Sequence, residues 1–484
     1  MNEQFDTAKQ APTAIALGVF VFCLAFLSPL VGLDGQSMIW VSESLITRHS
    51  VALPADSPYA PLIGTIGRGG QLYSNHYPLL SIVALPFVGT GLALGHFLHL
   101  PPHYVAGIFA LVLSCVLTAG SVYLTALLAL RLGASPRGAV LSSLAFAFGT
   151  IAWVYSRDFF AEPLLALLTA GTLYFGVGEG RKARISGAVC TGLAVLAKPT
   201  GIILGPLMGV YLLAKTRSFL TALIPLCATA GGLLLFFGYN YLRFEHVLKS
   251  GQPFAVSLRG APEGALGLLL SPGRGLLWYC PVVFALIGLP RRILRRLDAF
   301  LIFSVAAGYL FIYSSWSMWW WWGWGPRFLL PALPGLMALT GLLEKGWRRL
   351  LIVLTLVGFI INSPNLVSFY ERYYQELKDA GVTDEAQVWN PAYVPFIHIW
   401  SSSYREIQDA LNTDVQTVVR QAGSSVSSNV ESSRAFHIVA IWWWMLPAAR
   451  IPRMFGAVVA LTLVGLGMFM IGYAVYVTRE EATD

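Results

Sequence analysis

The sequence predicts an all-α polytopic membrane protein, a bundle of about 13 transmembrane helices with long extracytoplasmic loops. Three observations lead there. Of 484 residues, 56% are hydrophobic and only 12% charged, against roughly 25% charged in an ordinary soluble domain. Uncharged stretches such as Ala11–Gly32, Val105–Leu130 and Phe455–Val477 exceed the ~20 apolar residues that cross a bilayer. Lys and Arg gather in the short loops between such stretches. This balance excludes a soluble enzyme, a disordered chain and a disulfide scaffold. A transmembrane β-barrel would instead show alternating polarity in segments of ~10 residues. The net charge of +8 belongs to loops flanking a bilayer, so no nucleic-acid partner is expected. Cys23, Cys115, Cys190, Cys227 and Cys280 lie scattered in apolar runs without CxxC spacing, which points to neither a metal site nor a disulfide framework.

Orientation follows from the preference of Lys and Arg for the cytoplasmic side of short loops. Six loops (131/137, 181–184, 215/217, 291–296, 345–349 and 450/453) hold 16 of the 32 basic residues. Placing them all inside predicts thirteen spans: 12–32, 105–130, 139–155, 159–178, 185–197, 200–215, 219–239, 276–290, 298–316, 326–343, 350–364, 435–449 and 454–477. The N-terminus is then inside and the C-terminus outside. Met1–Gln10 carries both signs of charge, and the run after it is too long for a signal-peptide core. The first span is therefore read as uncleaved. Pro78–Leu98 is apolar enough to span, but doing so would invert every later loop. It is expected instead as a helix at the outer interface, where irregular backbone is tolerated only under a cover of protein.

All long loops then fall outside: Leu33–Tyr77, Tyr241–Gly275, Ser317–Gly325 and Asn365–Arg434. In the last, Tyr404, Ile407, Leu411, Val415 and Val418 or Val419 predict a helix over Ser402–Ala422. Residues 423–429 read as a Gly/Ser linker. The chain divides into a membrane module, 1–345, with its outer loop 33–78, and C-terminal helices, 346–484, with the loop 365–434.

Ionisable groups near the bilayer are costly and mark function. Asp34 directly follows the first span, where a helix cap or a solvated loop residue is the plain alternative. Asp158 and Glu162 lie between spans three and four, where they could equally serve the dipole of the next helix. His76, Lys198, Arg274 and Arg327 fall at outer helix ends beside Pro or Gly. A single such cation usually snorkels to the head groups. Four on one face can hold a phosphate or diphosphate. No Walker loop, HExxH, GxSxG or Rossmann fingerprint occurs, so nucleotide-driven transport and those hydrolase routes have no support.

At these residues the sequence resembles the GT-C superfamily of integral-membrane glycosyltransferases, which includes the protein O-mannosyltransferases and the lipid A aminoarabinose transferases. Asp34 matches the family's first carboxylate after span one, with Gly35 in place of the usual acidic neighbour. Tyr73-Ser-Asn-His76-Tyr-Pro78-Leu resembles its Tyr-x-Lys-x-Pro-Pro stretch, and Ser156-Arg157…Glu162 its Ser-Arg…Thr-Asp pattern. Leu196-Ala-Lys198-Pro resembles its Leu-Thr-Lys-Gly turn, and Pro326-Arg327-Phe-Leu-Leu-Pro331 its Arg-Tyr-Leu-Leu-Pro helix start. The likeness runs over about 30–345.

The resemblance implies transfer of a sugar from a polyprenyl-phosphate donor to an acceptor hydroxyl of a glycan, lipid or protein outside the cytoplasm. The partners it implies are the donor, the acceptor and the bilayer of the plasma (inner) membrane. Asp34 is the expected base, its pKa raised toward the working range by burial. Lys198, Arg274 and Arg327, with His76 and Asp158, are expected to bind substrate, and Glu162 to assist. Asp34 and Glu162 could share a divalent cation through oxygen ligands, which spacing does not decide. Two other classes compete with this reading. A transporter or lipid flippase would need polar groups deep in several helices and paired broken helices. An O-antigen ligase or polymerase would take a diphosphate-linked glycan and lean on Arg and His.

Overall fold

The structure is a computed structural model that describes residues 2–28, 31–54, 60–100, 102–252, 255–368, 370–412, 441–443, 446 and 451–480. The chain is a helical, multi-pass membrane protein. Among the described residues, five helices are long and apolar enough to cross a bilayer: Pro102–Arg131, Phe219–Phe244, Leu297–Ser314, Lys345–Leu366 and Arg453–Thr478. Twelve of the thirteen predicted spans carry helical backbone, but several are shorter or broken. The span expected over 139–155 is a helix, Pro136–Gly149, and a separate 3-10 turn, Val154–Arg157. The one over 276–290 breaks at Cys280–Pro281 into Leu276–Tyr279 and the 3-10 run Pro281–Gly288. The span over 326–343 opens as 3-10, Arg327–Ala332, before Leu333–Thr340. Pro281, Pro331 and Pro334 explain the last two breaks, because proline removes an N–H donor and crowds the preceding turn. Most of 435–449 lies outside the described residues.

Small residues set the closest helix crossings. A Cβ on Gly18 would meet the Gly467 carbonyl at 2.8 Å, and one on Gly467 the Gly18 carbonyl at the same distance. The first and last helices therefore pack backbone to backbone, as membrane helices do where side chains are small.

The two ends of the bundle differ. At one end, basic side chains hydrogen-bond carbonyls at neighbouring helix ends. Arg131 donates to Tyr174 O at 2.7 Å, Lys215 to Val177 O at 2.7 Å and Arg296 to Leu132 O at 2.6 Å. Cations at helix C-termini are favoured by the dipole. The long loops gather at the other end. There the helix Leu33–Arg48 leads to a short antiparallel hairpin, Gly64–Ile66 with Leu72–Ser74, in the register Gly64↔Ser74.

The segment expected at the interface is two helices, Pro78–Val83 and Leu85–Phe97, hinged at Ala84. The second has 13 residues, about 20 Å at the α-helical rise, short of the ~30 Å apolar core of a bilayer. Ser42 Oγ donates to Ser81 O and Ser81 Oγ to Met38 O, at 2.8 and 2.9 Å, tying this segment to Leu33–Arg48.

The largest loop holds the helices Tyr370–Asp379, Asp384–Trp389 and Pro395–Asn412. The helix predicted over Ser402–Ala422 starts earlier, at Pro395, where the proline opens its first turn. Residues 413–422, and the linker at 423–429, lie outside the described residues.

Candidate active site

Five separate segments bring charge to one point at the loop-bearing end. Asp34 stands in the first turn of Leu33–Arg48, after Gly32 at the cap position. Its side chain is 34% exposed, with Oδ1 3.4 Å from His76 Nε2 and Oδ2 3.8 Å from the Arg327 guanidinium. Glu162 opens the helix Ala161–Val177 and is buried. Lys198 Nζ donates to its Oε1 at 2.7 Å, and Arg327 Nε lies 4.0 Å from the same oxygen. Lys198 occupies the extended link between the helix Gly180–Ala197 and the 3-10 turn Pro199–Ile203. Pro199 favours that break, since the residue before a proline is pushed out of the helical region.

Aromatic rings back the two cations. Lys198 Nζ lies 4.8 Å from the Phe328 ring centre and 5.3 Å from that of Tyr313. Arg327 lies 4.5 Å from Phe160 and 4.8 Å from Phe328. The Tyr313 and Phe328 rings stack at 4.8 Å. Rings of this kind favour a cation with little water around it. Among the described residues Arg327 Nε is buried without a hydrogen-bond partner, so this guanidinium keeps unused capacity.

The expectation that burial raises Asp34 into the working range is corrected. Burial pushes its carboxyl up, but the facing His76, Arg327 and Lys198 outweigh that and hold it well below the usual carboxylate range. Gly35 also has a packing reason. A Cβ there would lie 2.4 Å from Val31 and 2.7 Å from the Phe159 carbonyl, so the acidic neighbour seen in the resembling family has no room.

Arg274 is placed apart from this cluster, whereas Asp158 borders it, bonded to Gly32 two residues before Asp34 and within the field of Arg327. Asp158 is buried, and both its carboxylate oxygens are engaged: Oδ1 accepts from Phe159 N at 2.8 Å and Gly32 N at 3.5 Å, and Oδ2 from Tyr370 OH at 2.7 Å. Burial pushes it up to about 6 against those bonds. Arg274 is buried among main-chain carbonyls, donating to Gly273 O at 3.0 Å and Trp320 O at 3.3 Å and to the Tyr374 hydroxyl. It clamps the aromatic loop Ser317–Gly325 to the helix Tyr370–Asp379. His76 joins the cluster as a partner of Asp34. The pairing of Tyr370 with Asp158 and the aromatic backing of the cations were not legible in the sequence, because hydroxyls and rings reached across more than a hundred residues leave no local spacing.

A divalent cation between Asp34 and Glu162 fits poorly. Lys198 and Arg327 already neutralise both carboxylates, and a third positive charge would be repelled. Among the described residues no group of three or more His, Cys, Asp or Glu could hold a metal ion.

No protein-family model and no curated protein sequence matches the chain. Two crystal structures of ArnT from Cupriavidus metallidurans are similar to the chain. The one bound to undecaprenyl phosphate has a TM-score of 0.50 at 16% identity, covering 96% of this chain and 77% of that one. The apo structure has a TM-score of 0.49 at 16% identity, covering 95% and 77%. At this identity the likeness is one of fold.

Proposed function

We propose that the chain transfers a sugar from a polyprenyl-phosphate donor to an acceptor hydroxyl on the extracytoplasmic face of the plasma (inner) membrane. The observation that carries this reading is the meeting of Asp34, Glu162, Lys198, Arg327 and His76, from five segments, at the loop-bearing end of the bundle. The fold shared with a protein crystallised with undecaprenyl phosphate supports it.

The lipid tail stays in the bilayer, and its phosphate reaches Lys198 and Arg327 at the surface. These two cations, set against rings in a low-dielectric site, neutralise the charge that grows on the departing phosphate. The leaving group is already good, so it needs no dedicated acid. The acceptor hydroxyl attacks the anomeric carbon while Asp34 takes its proton, and the carbon–phosphate oxygen bond breaks. Glu162 holds the two cations in place between turnovers.

Donor binding also arms the base. A phosphate drawn to Arg327 and Lys198 offsets the positive field that keeps Asp34 weakly basic, and adds a negative charge nearby. Both effects raise its proton affinity. The reading is tested by incubating purified protein with a panel of synthetic polyprenyl-phosphate sugars. Release of free polyprenyl phosphate from one donor is expected. Movement of intact donor between leaflets without cleavage would instead indicate a flippase.

A further inference from the structure

Arg243 ends the helix Phe219–Phe244 and is fully buried. Its hydrogen-bond acceptors are neutral. The guanidinium donates to the Ser74 carbonyl, to the His76 carbonyl at 3.2 Å, to Asn240 Oδ1 at 2.8 Å and to the Ser250 carbonyl at 3.5 Å. It lies 4.0 Å from the Tyr239 ring centre and 4.7 Å from that of Phe244. A buried cation whose partners among the described residues are carbonyl dipoles and rings is a weak way to stabilise a fold. Its use is better sought in what those carbonyls carry.

They carry a short relay to Asp34. The His76 N–H donates to Ser74 Oγ at 3.1 Å. Ser74 Oγ and Ser37 Oγ lie 2.9 Å apart, and Ser37 Oγ donates to the Asp34 carbonyl at 2.9 Å. Ser37 spends its one proton there, so Ser74 is the donor between the two hydroxyls. The turn 74–76 is thus gripped from behind by Arg243 and from the front by the Asp34 turn, and its imidazole meets the Asp34 carboxylate. We infer that Arg243 is a positioning residue, which holds His76 against Asp34 through the Ser74 and His76 carbonyls. The inference rests on the reading of Asp34 as the base.

The test is a double-mutant cycle with an activity-free readout beside it. Arg243→Met should cut turnover of the matched donor about tenfold or more, while polyprenyl phosphate still binds within about threefold, since Lys198 and Arg327 are untouched. His76→Ala should lose a similar factor. The double variant should be no worse than His76→Ala, because residues acting through one contact are not additive. Arg243→Lys, which keeps a donor to those carbonyls, should recover much of the loss and serves if the Met variant folds poorly. Carbethoxylation of His76 by diethyl pyrocarbonate, followed by peptide mass, should run several-fold faster in Arg243→Met than in the parent. Multiplied losses in the double variant, an inert His76→Ala, or equal modification rates would overturn the inference. Faster modification in a protein that cleaves no donor would keep the positioning role and strike only the transferase reading.

Discussion

Asp34 shares its two carboxylate oxygens between His76 and Arg327, and that arrangement makes its basicity depend on what else Arg327 binds. Free of donor, the carboxyl is held below its ordinary range. With an anionic phosphate on Arg327 and Lys198 it should rise. The profile of kcat/KM reports the free enzyme and that of kcat the bound complex, so the acid limb of kcat should lie at higher pH than that of kcat/KM. Coincident limbs would mean that the donor does not touch the field at Asp34. Lys198→Ala or Arg327→Ala should weaken polyprenyl phosphate binding by about 1.5–3 kcal/mol each, the range for a hydrogen bond to a charged group. Arg274→Ala should leave binding nearly unchanged and lower the melting temperature instead, because its guanidinium is spent on Gly273, Trp320 and Tyr374. Titration of the variants with polyprenyl phosphate separates the two outcomes. Four of the seven candidate residues, His76, Lys198, Arg274 and Arg327, stand out through Pro or Gly at a helix end, and the same punctuation puts their side chains at the loop face. Arg243 gave no such signal: it is one basic residue near the end of an apolar helix, and only the fold reveals that it faces Ser74 and His76.

The helix Tyr370–Asp379 shows how an element outside the bundle can shape the site. Tyr370 reaches Asp158, and Tyr374 donates to the Gly323 carbonyl at 3.1 Å. The helix Pro395–Asn412 rests on it through Ser402, which donates to Glu376 Oε2 at 2.9 Å, and on the segment before it through Ser403, bonded to Ser368 Oγ at 2.8 Å. This layered contact favours a cap over the site. Deleting Ser401–Gly423 should therefore raise hydrolysis of the donor, since water would enter, and leave acceptor choice unchanged. Loss of transfer with intact donor binding would show that the segment reads the acceptor instead. Uninterrupted apolar length made the long spans Pro102–Arg131, Phe219–Phe244 and Arg453–Glu480 legible to within a few residues. It could not mark the 3-10 runs at Pro199–Ile203, Pro281–Gly288 and Arg327–Ala332. Those depend on prolines and on neighbours distant in sequence, and an apolar run reads alike in either geometry.

At the scale of the whole molecule, charge sorts the two ends. Basic side chains bind helix carbonyls at one end, and Asp34 and Glu162 meet His76, Lys198 and Arg327 at the other. If the basic end is cytoplasmic, a cysteine placed in Gly133–Ser135 should be shielded from an impermeant thiol reagent in intact cells, and one placed near Asp384 should be labelled. The reverse pattern would place Asp34 inside and remove a lipid donor presented from the outer leaflet.

The transferase reading finally depends on one carboxylate doing chemistry that binding alone cannot supply. The measurement is turnover of the matched polyprenyl-phosphate sugar by the parent and by Asp34→Asn, with donor affinity taken on the same preparations. Asp34→Asn keeps the size of the side chain but cannot take a proton. Turnover should fall about 10²–10⁴-fold, the span of general-base catalysis, while donor affinity stays within a few-fold. Parent-like turnover in Asp34→Asn would contradict the proposed role and leave Asp34 as the first-turn partner of His76 and Arg327.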